Sequence, residues 1–234
     1  MENSDNQKII ITKDHALLAG VLLLAVIVFC IVVFSNLHKN NSLQPLPFLG
    51  KWTHVTIHKD GNDVQDSIPH RVQNFSFVDQ TGKQITNDDF NEKIYVADFF
   101  FTTCPSICPK MTKQMQRVVE TYKNEPRVSF LSHTVFPEHD SVNVLATYAK
   151  NHDADANRWH FVTGSKKEIY DMVRAGYLLS ADSGDGGKGD FVHTQLFALV
   201  DFNRHLRGVY AGTDSSDVNK LIADIRQLLN SKNQ

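Results

Sequence analysis

The sequence predicts an α/β protein, a mixed sheet with flanking helices, preceded by one N-terminal transmembrane helix. Three observations predict it. An uncharged apolar stretch stands near the N-terminus, strand-like and helix-like segments alternate after it, and the last two strands are joined by a short turn before a closing amphipathic helix. With 234 residues and 41% hydrophobic content the chain can bury one substantial core. Its 24 basic and 26 acidic residues give a net charge of −2, and no lysine or arginine run makes an electrostatic footprint for nucleic acid. That balance argues against a nucleic-acid partner.

Residues 1–15 form a short N-terminal segment. The run "ALLAGVLLLAVIVFCIVVFS", Ala16 to Ser35, holds no charged residue, and as a helix it spans about 30 Å, the thickness of a hydrocarbon core. The following "SNLHKNNSLQPLP" offers no small-residue cleavage site, so the segment reads as an uncleaved anchor. Cys30 inside it reads as a small apolar side chain. Residues 36–50, polar and then punctuated by proline, form a linker that reaches at most about 40 Å when extended. The soluble domain is then 51–234.

Within that domain "KWTHVTIHKDGNDV" and "NFSFVDQTGKQIT" read as hairpins turning at Gly61 and Gly82. "KIYVADFFF" is an almost continuous apolar run, the pattern of a strand covered on both faces. A helix follows, with Met111, Met115, Val118, Val119 and Tyr122 on its apolar face, ending before Pro126. "RVSFLSHTV" is a strand, "SVNVLATYAKNH" a helix, and "WHFVTG" a strand. "SKKEIYDMVRAGY" is a helix opened by a Ser165 and Glu168 capping box. "FVHTQLFALVD" and "HLRGVYAGT" are strands joined by a turn, and "DVNKLIADIRQLL" closes the chain with Val218, Leu221, Ile222, Ile225, Leu228 and Leu229 as one stripe. The order implies a mostly parallel sheet with an antiparallel hairpin at one edge, a thioredoxin-like arrangement. "SADSGDGGKGD", Ser180 to Asp190, lacks the regular Asp spacing and terminal Glu of a calcium loop and reads as a mobile loop.

Two of the three cysteines, Cys104 and Cys108, occupy the turn from the first central strand into the first helix, with Pro109 at that helix's first position. Free N–H groups and the helix dipole there favour thiolate. Residues four apart share one face of a helical turn, so both sulfurs converge, and such a pair either oxidises to a disulfide or clamps a soft metal. Packing alone is the bland alternative. The spacing is C-x-x-x-C rather than the C-x-x-C of thioredoxin-type dithiols. The last proline is Pro137, so the proline such proteins carry opposite the dithiol is absent. His193 stands at about that place, where the topology brings the start of its strand beside the helix N-terminus. Two thiolates and an imidazole suit Cu(I), accept Cu(II) with a further ligand, and also fit zinc. His133, His139, His152 and His160 read as ordinary surface or strand-end residues.

The blocks "FFFTTCPSICPKMT", "HTVFPEHDS" and "FVHTQLFALVDFNRHLRGVYAGT" resemble the signature blocks of the Sco/SenC family, membrane-anchored proteins that help assemble the copper A centre of cytochrome c oxidase. The resemblance runs from about Phe75 to Leu229. It implies that Cys104, Cys108 and His193 are copper ligands, for Cu(I) and for Cu(II). Val192 and Phe136 stand where many family members have Asp. The expected function is a copper-binding chaperone, with the copper A subunit of the oxidase as partner, together with another copper chaperone or a thiol reductant. The alternatives are a thiol-disulfide reductase using Cys104 and Cys108, and a redox or copper sensor. The lysine count around the anchor biases orientation only slightly. A dithiol serving copper A belongs in an oxidising compartment, so the expected location is a bacterial inner membrane, single-pass, with the soluble domain on the outer side.

Overall fold

A computed structural model of the chain describes residues 20, 22–33, 44–59, 61–179 and 194–232. Gly20 and residues 22–33 are helical, and the side chains of 22–33 are exposed. The rest of the predicted anchor, 16–19, 21, 34 and 35, lies outside the described residues. Among the described residues no helix is long and apolar enough to cross a membrane. Leu46–Gln234 forms a unit of its own.

That unit begins with two strands, β1 (Thr53–Lys59) and β2 (Asn62–Ile68), which pair only with each other among the described strands. Their register, with Ile57 opposite Val64, puts Val55, Ile57, Val64 and Ile68 on one face of the ribbon. The other face carries the pairs His54–Ser67, Thr56–Gln65 and His58–Asp63, each hydrogen-bonded at 2.8 Å.

The main sheet has seven strands in the order β4-β3-β7-β6-β5-β8-β9. They are β3 (Ser76–Asp79), β4 (Gln84–Thr86), β5 (Ile94–Phe100), β6 (Val128–Thr134), β7 (Trp159–Thr163), β8 (Leu196–Val200) and β9 (Leu206–Ala211). Only β5, β6 and β7 run parallel. The β8–β9 hairpin closes one edge as expected. The β3–β4 hairpin, which turns at Gly82 with φ of 83°, closes the other by pairing antiparallel to β7. The sheet is therefore mixed rather than mostly parallel, because a hairpin with one buried face completes the free edge of β7.

Every residue of β5 and β6 is buried, the signature of strands with helices on both faces. Helices α1 (Ile107–Thr121), α2 (Val142–Asn151) and α4 (Ser215–Ser231) cover one face, where Met111, Met115, Val118, Leu145, Leu221 and Ile225 pack on Val96, Phe130 and Phe197. Helix α3 (Lys166–Asp171), continued as a π turn through Gly176, covers the other with Ile169, Tyr170 and Tyr177 over Tyr95, Phe99 and Leu131. Ser165 is the N-cap of α3, but its side chain makes no cap bond, so the expected capping box is not formed. His133 and His160 also depart from expectation. His133 is fully buried with Phe77, Phe99 and Tyr177 around its ring, and His160 is buried with Nδ1 3.1 Å from the Asp79 carboxylate.

Candidate metal centre

The strand β5 delivers the chain to the end of the sheet at Phe100, and Thr102 and Thr103 turn it toward α1. Helix α1 begins at Ile107, so Cys108 and Pro109 are its second and third residues. Proline is thus two positions later than expected, still within the first turn, where backbone N–H groups have no helical acceptor. Cys104 lies before the helix rather than on it. The shared helical face is therefore not what brings the sulfurs together.

The contact is made by capping. Ser106 occupies the N-cap position with an unused side chain, and the Cys104 sulfur takes over its role. The Cys108 N–H donates to Cys104 Sγ at 3.4 Å, and the Ser106 and Ile107 amides also favour the thiolate of that sulfur. The Cys108 thiol donates to it as well. Burial alone would raise the Cys104 thiol, but the Cys108 thiol and these amides outweigh it and hold its pKa below the ordinary cysteine value. Burial, followed by the hydrogen bond to Cys104, pushes Cys108 up to about 12. The pair thus rests as a half-buried thiolate-forming sulfur beside a buried, protonated one.

A cavity of about 130 Å³ opens on both sulfurs, walled by Phe99, Phe101, Ile107 and Val135 and reached by Thr194. His193 lies outside the described residues, as do Val192 and the glycine-rich segment 180–190. Among the described residues no group of three or more His, Cys, Asp or Glu side chains is arranged to hold a metal ion. The described donors are the two sulfurs, a soft set in an apolar enclosure, and that set fits a soft monovalent ion.

Sequence reasoning missed the residues that hold this loop. Asp140, wholly buried, accepts through Oδ2 from Thr102 N–H at 3.0 Å and Thr134 Oγ1 at 2.5 Å and through Oδ1 from Thr102 Oγ1 at 2.5 Å, and Oδ1 also lies 2.8 Å from His139 Nδ1. It ties the start of the cysteine loop to the end of β6. Position 140 stands 38 residues from position 102, and no local pattern links them. Phe136, at the position where an Asp was the family expectation, stacks on the His139 ring at 5.5 Å. Beneath the loop, Asp98 on β5 is buried and accepts from Ser132 Oγ at 2.5 Å, which in turn accepts from Trp159 Nε1 at 2.9 Å. Burial raises Asp98 to about 7, and its charge bears on Cys108. No sequence signal marks an acid within an apolar strand as anything but an exception.

A mixed thioredoxin-like sheet with a C-x-x-x-C pair at the first central helix defines a class of dithiol proteins. The SCO1/SenC family profile matches residues 64–230, and the chain belongs to that family. The SCO1 protein homolog of Bacillus subtilis is 28% identical over 168 residues, which cover 71% of this chain and 86% of that protein. A solved structure described as identifying a disulfide switch in BsSco, a member of the Sco family of cytochrome c oxidase assembly proteins, superposes with a TM-score of 0.58 at 29% identity, covering 68% of this chain and 93% of that one. Bradyrhizobium japonicum ScoI, solved with copper bound, shares the fold with a TM-score of 0.54 at 22% identity, covering 68% of this chain and 99% of that one.

Proposed function

We propose that the chain is a membrane-anchored copper-binding chaperone that delivers copper to, or prepares the thiols of, the copper A site of cytochrome c oxidase. The observation that carries this reading is the convergence of Cys104 and Cys108 sulfurs on one small apolar cavity. Membership of the SCO1/SenC family supports it, as do the oxidase-assembly role stated for BsSco and the copper bound by ScoI. Copper is cargo here. The two sulfurs hold Cu(I), and loading expels the proton that Cys108 keeps in the free protein. His193 is the third ligand, for Cu(I) and for Cu(II). Its chain neighbour Thr194 lines the thiol cavity, and consecutive Cα atoms are about 3.8 Å apart.

Residues 16–35 are the anchor, 1–15 precede it, 36–50 are the linker and 51–234 the copper-handling domain. The uncharged run and the exposed apolar side chains of helical residues 22–33 support the anchor. The domain sits on the outer side of a bacterial inner membrane, where a reversible dithiol meets oxidants and the oxidase copper domain. A second reading, a thiol-disulfide reductase acting on oxidase or copper-chaperone cysteines, is favoured by the asymmetry of the pair, one accessible low-pKa sulfur backed by a protonated one.

Replacing each proposed ligand tests the site, and the His193 variant separates the two readings. Cys104→Ser or Cys108→Ser abolishes stoichiometric copper binding, and retention by either variant sinks the site. His193→Ala should cost Cu(II) binding while leaving weakened Cu(I) binding on the two thiolates. Unchanged copper binding with slowed thiol exchange in that variant would establish the reductase instead.

A further inference from the structure

At the end of the sheet opposite the thiols, the β8–β9 turn carries Arg204 in the left-handed region, with φ of 67°. Glycine adopts that conformation without cost, whereas arginine does not. The turn itself is built by Asp201, whose backbone oxygen accepts from Arg204 N–H at 2.9 Å and whose carboxylate accepts from Asn203 and His205 N–H groups. Nothing in that geometry requires an arginine side chain.

The side chain instead enters a polar basin of about 400 Å³ that it shares with Arg71. The two residues are also neighbours through the backbone, since Val72 N–H donates to Arg204 O at 2.8 Å and Arg71 bridges His205. Asn74 Oδ1 accepts from Arg204 Nη1 at 2.6 Å, and Asn203 O accepts from Arg71 Nε at 3.0 Å. Arg204 Nε is buried with no protein partner. Among the described residues neither guanidinium forms a salt bridge. The one carboxylate lining the basin, Asp88, is exposed and is engaged by Asn91 Nδ2 at 3.3 Å. Burial and the adjacent Arg71 charge together depress the Arg204 pKa, outweighing the opposing pull of the Asp88 carboxylate.

We propose that Arg71 and Arg204 form a binding site for a phosphate oxyanion. The remaining N–H groups of the two guanidinium forks suit phosphate oxygens, and the bound dianion or diester neutralises the repulsion between them. Two sources carry this chemistry, free phosphate and a lipid headgroup. The chain enters the domain beside the basin: Leu49 N–H donates to Leu206 O at 2.8 Å, Arg207 Nε donates to Pro47 O at 3.0 Å, and Phe48 packs under the Arg207 guanidinium at 4.2 Å. The site stands independently of the copper reading.

The test titrates the full chain, held in an alkyl maltoside that carries no phosphate, with inorganic phosphate against chloride at matched ionic strength. Saturable heat is expected, and Arg204→Gly should weaken it at least tenfold while raising the melting temperature, because glycine relieves the left-handed strain. Arg71→Gln, away from the strained position, should weaken it similarly and carries the test if the glycine variant does not fold. Phosphatidylglycerol added to the micelles assigns the source. Displacement of phosphate identifies a headgroup, and no displacement identifies the free anion. Absence of saturable phosphate binding, or wild-type affinity in both variants, overturns the site.

Discussion

Among single residues, the cysteine loop is fixed from outside itself, by a carboxylate on the far side of β6. Asp140 is fully buried and takes three donors from Thr102 and Thr134, so its removal leaves them unpaired in an apolar setting. Asp140→Ala should cost about 3 kcal/mol in denaturant unfolding and weaken copper binding at least tenfold, through a loosened Thr102–Ser106 turn. Unchanged affinity in a competition titration would show that the loop orders itself. Asp98 gives a pH signature. Burial raises it to about 7, whereas an unfolded Asp titrates near 3.9. Between those values the folded chain holds a proton that the unfolded chain lacks, so stability falls as pH rises from about 4 to about 7. Asp98→Asn keeps an acceptor for Ser132 and should flatten that slope, adding on the order of 2 kcal/mol above neutral pH. Equal slopes in thermal melts of the two proteins would contradict the assignment.

Among elements, the helix that presents Cys108 is held by packing rather than propensity. Met115 of α1 is 0% exposed, and Met115→Ala should destabilise the fold by about 2–5 kcal/mol. The β1–β2 ribbon makes the contrasting case. Both strands are exposed along nearly their whole length, so replacing residues 53–68 by a short Gly-Ser connection should leave the melting temperature within a few degrees. A collapse of the fold would show that the ribbon covers core. The strands and helices were legible in the sequence because each has a strong period of its own: the unbroken apolar run of β5, and the stripes of α1 and α4. What was not legible depends on partners far along the chain. Pairing of Val78 with Thr163 turns a separate hairpin into a sheet edge, and the burial of His133 follows from aromatic neighbours on other strands. The cysteine pair was found by its spacing, but the reason for their contact was misread. Helical periodicity does not apply to Cys104, whose sulfur caps the helix instead of riding on it.

At the scale of the whole domain, the sheet separates two kinds of chemistry. The thiols occupy the end where β5 stops, and the arginine pair and the entering chain occupy the end where β5 begins, beside the β8–β9 turn. The central claim is that copper is held by the two cysteines with His193. Copper K-edge X-ray absorption of the full chain loaded with one equivalent of Cu(I) tests it most directly. The account predicts two sulfur scatterers and one imidazole nitrogen, with the nitrogen shell lost in His193→Ala and no copper-bound sulfur shell in Cys104→Ser. A first shell of nitrogen and oxygen alone, or a sulfur shell indifferent to those substitutions, would contradict it.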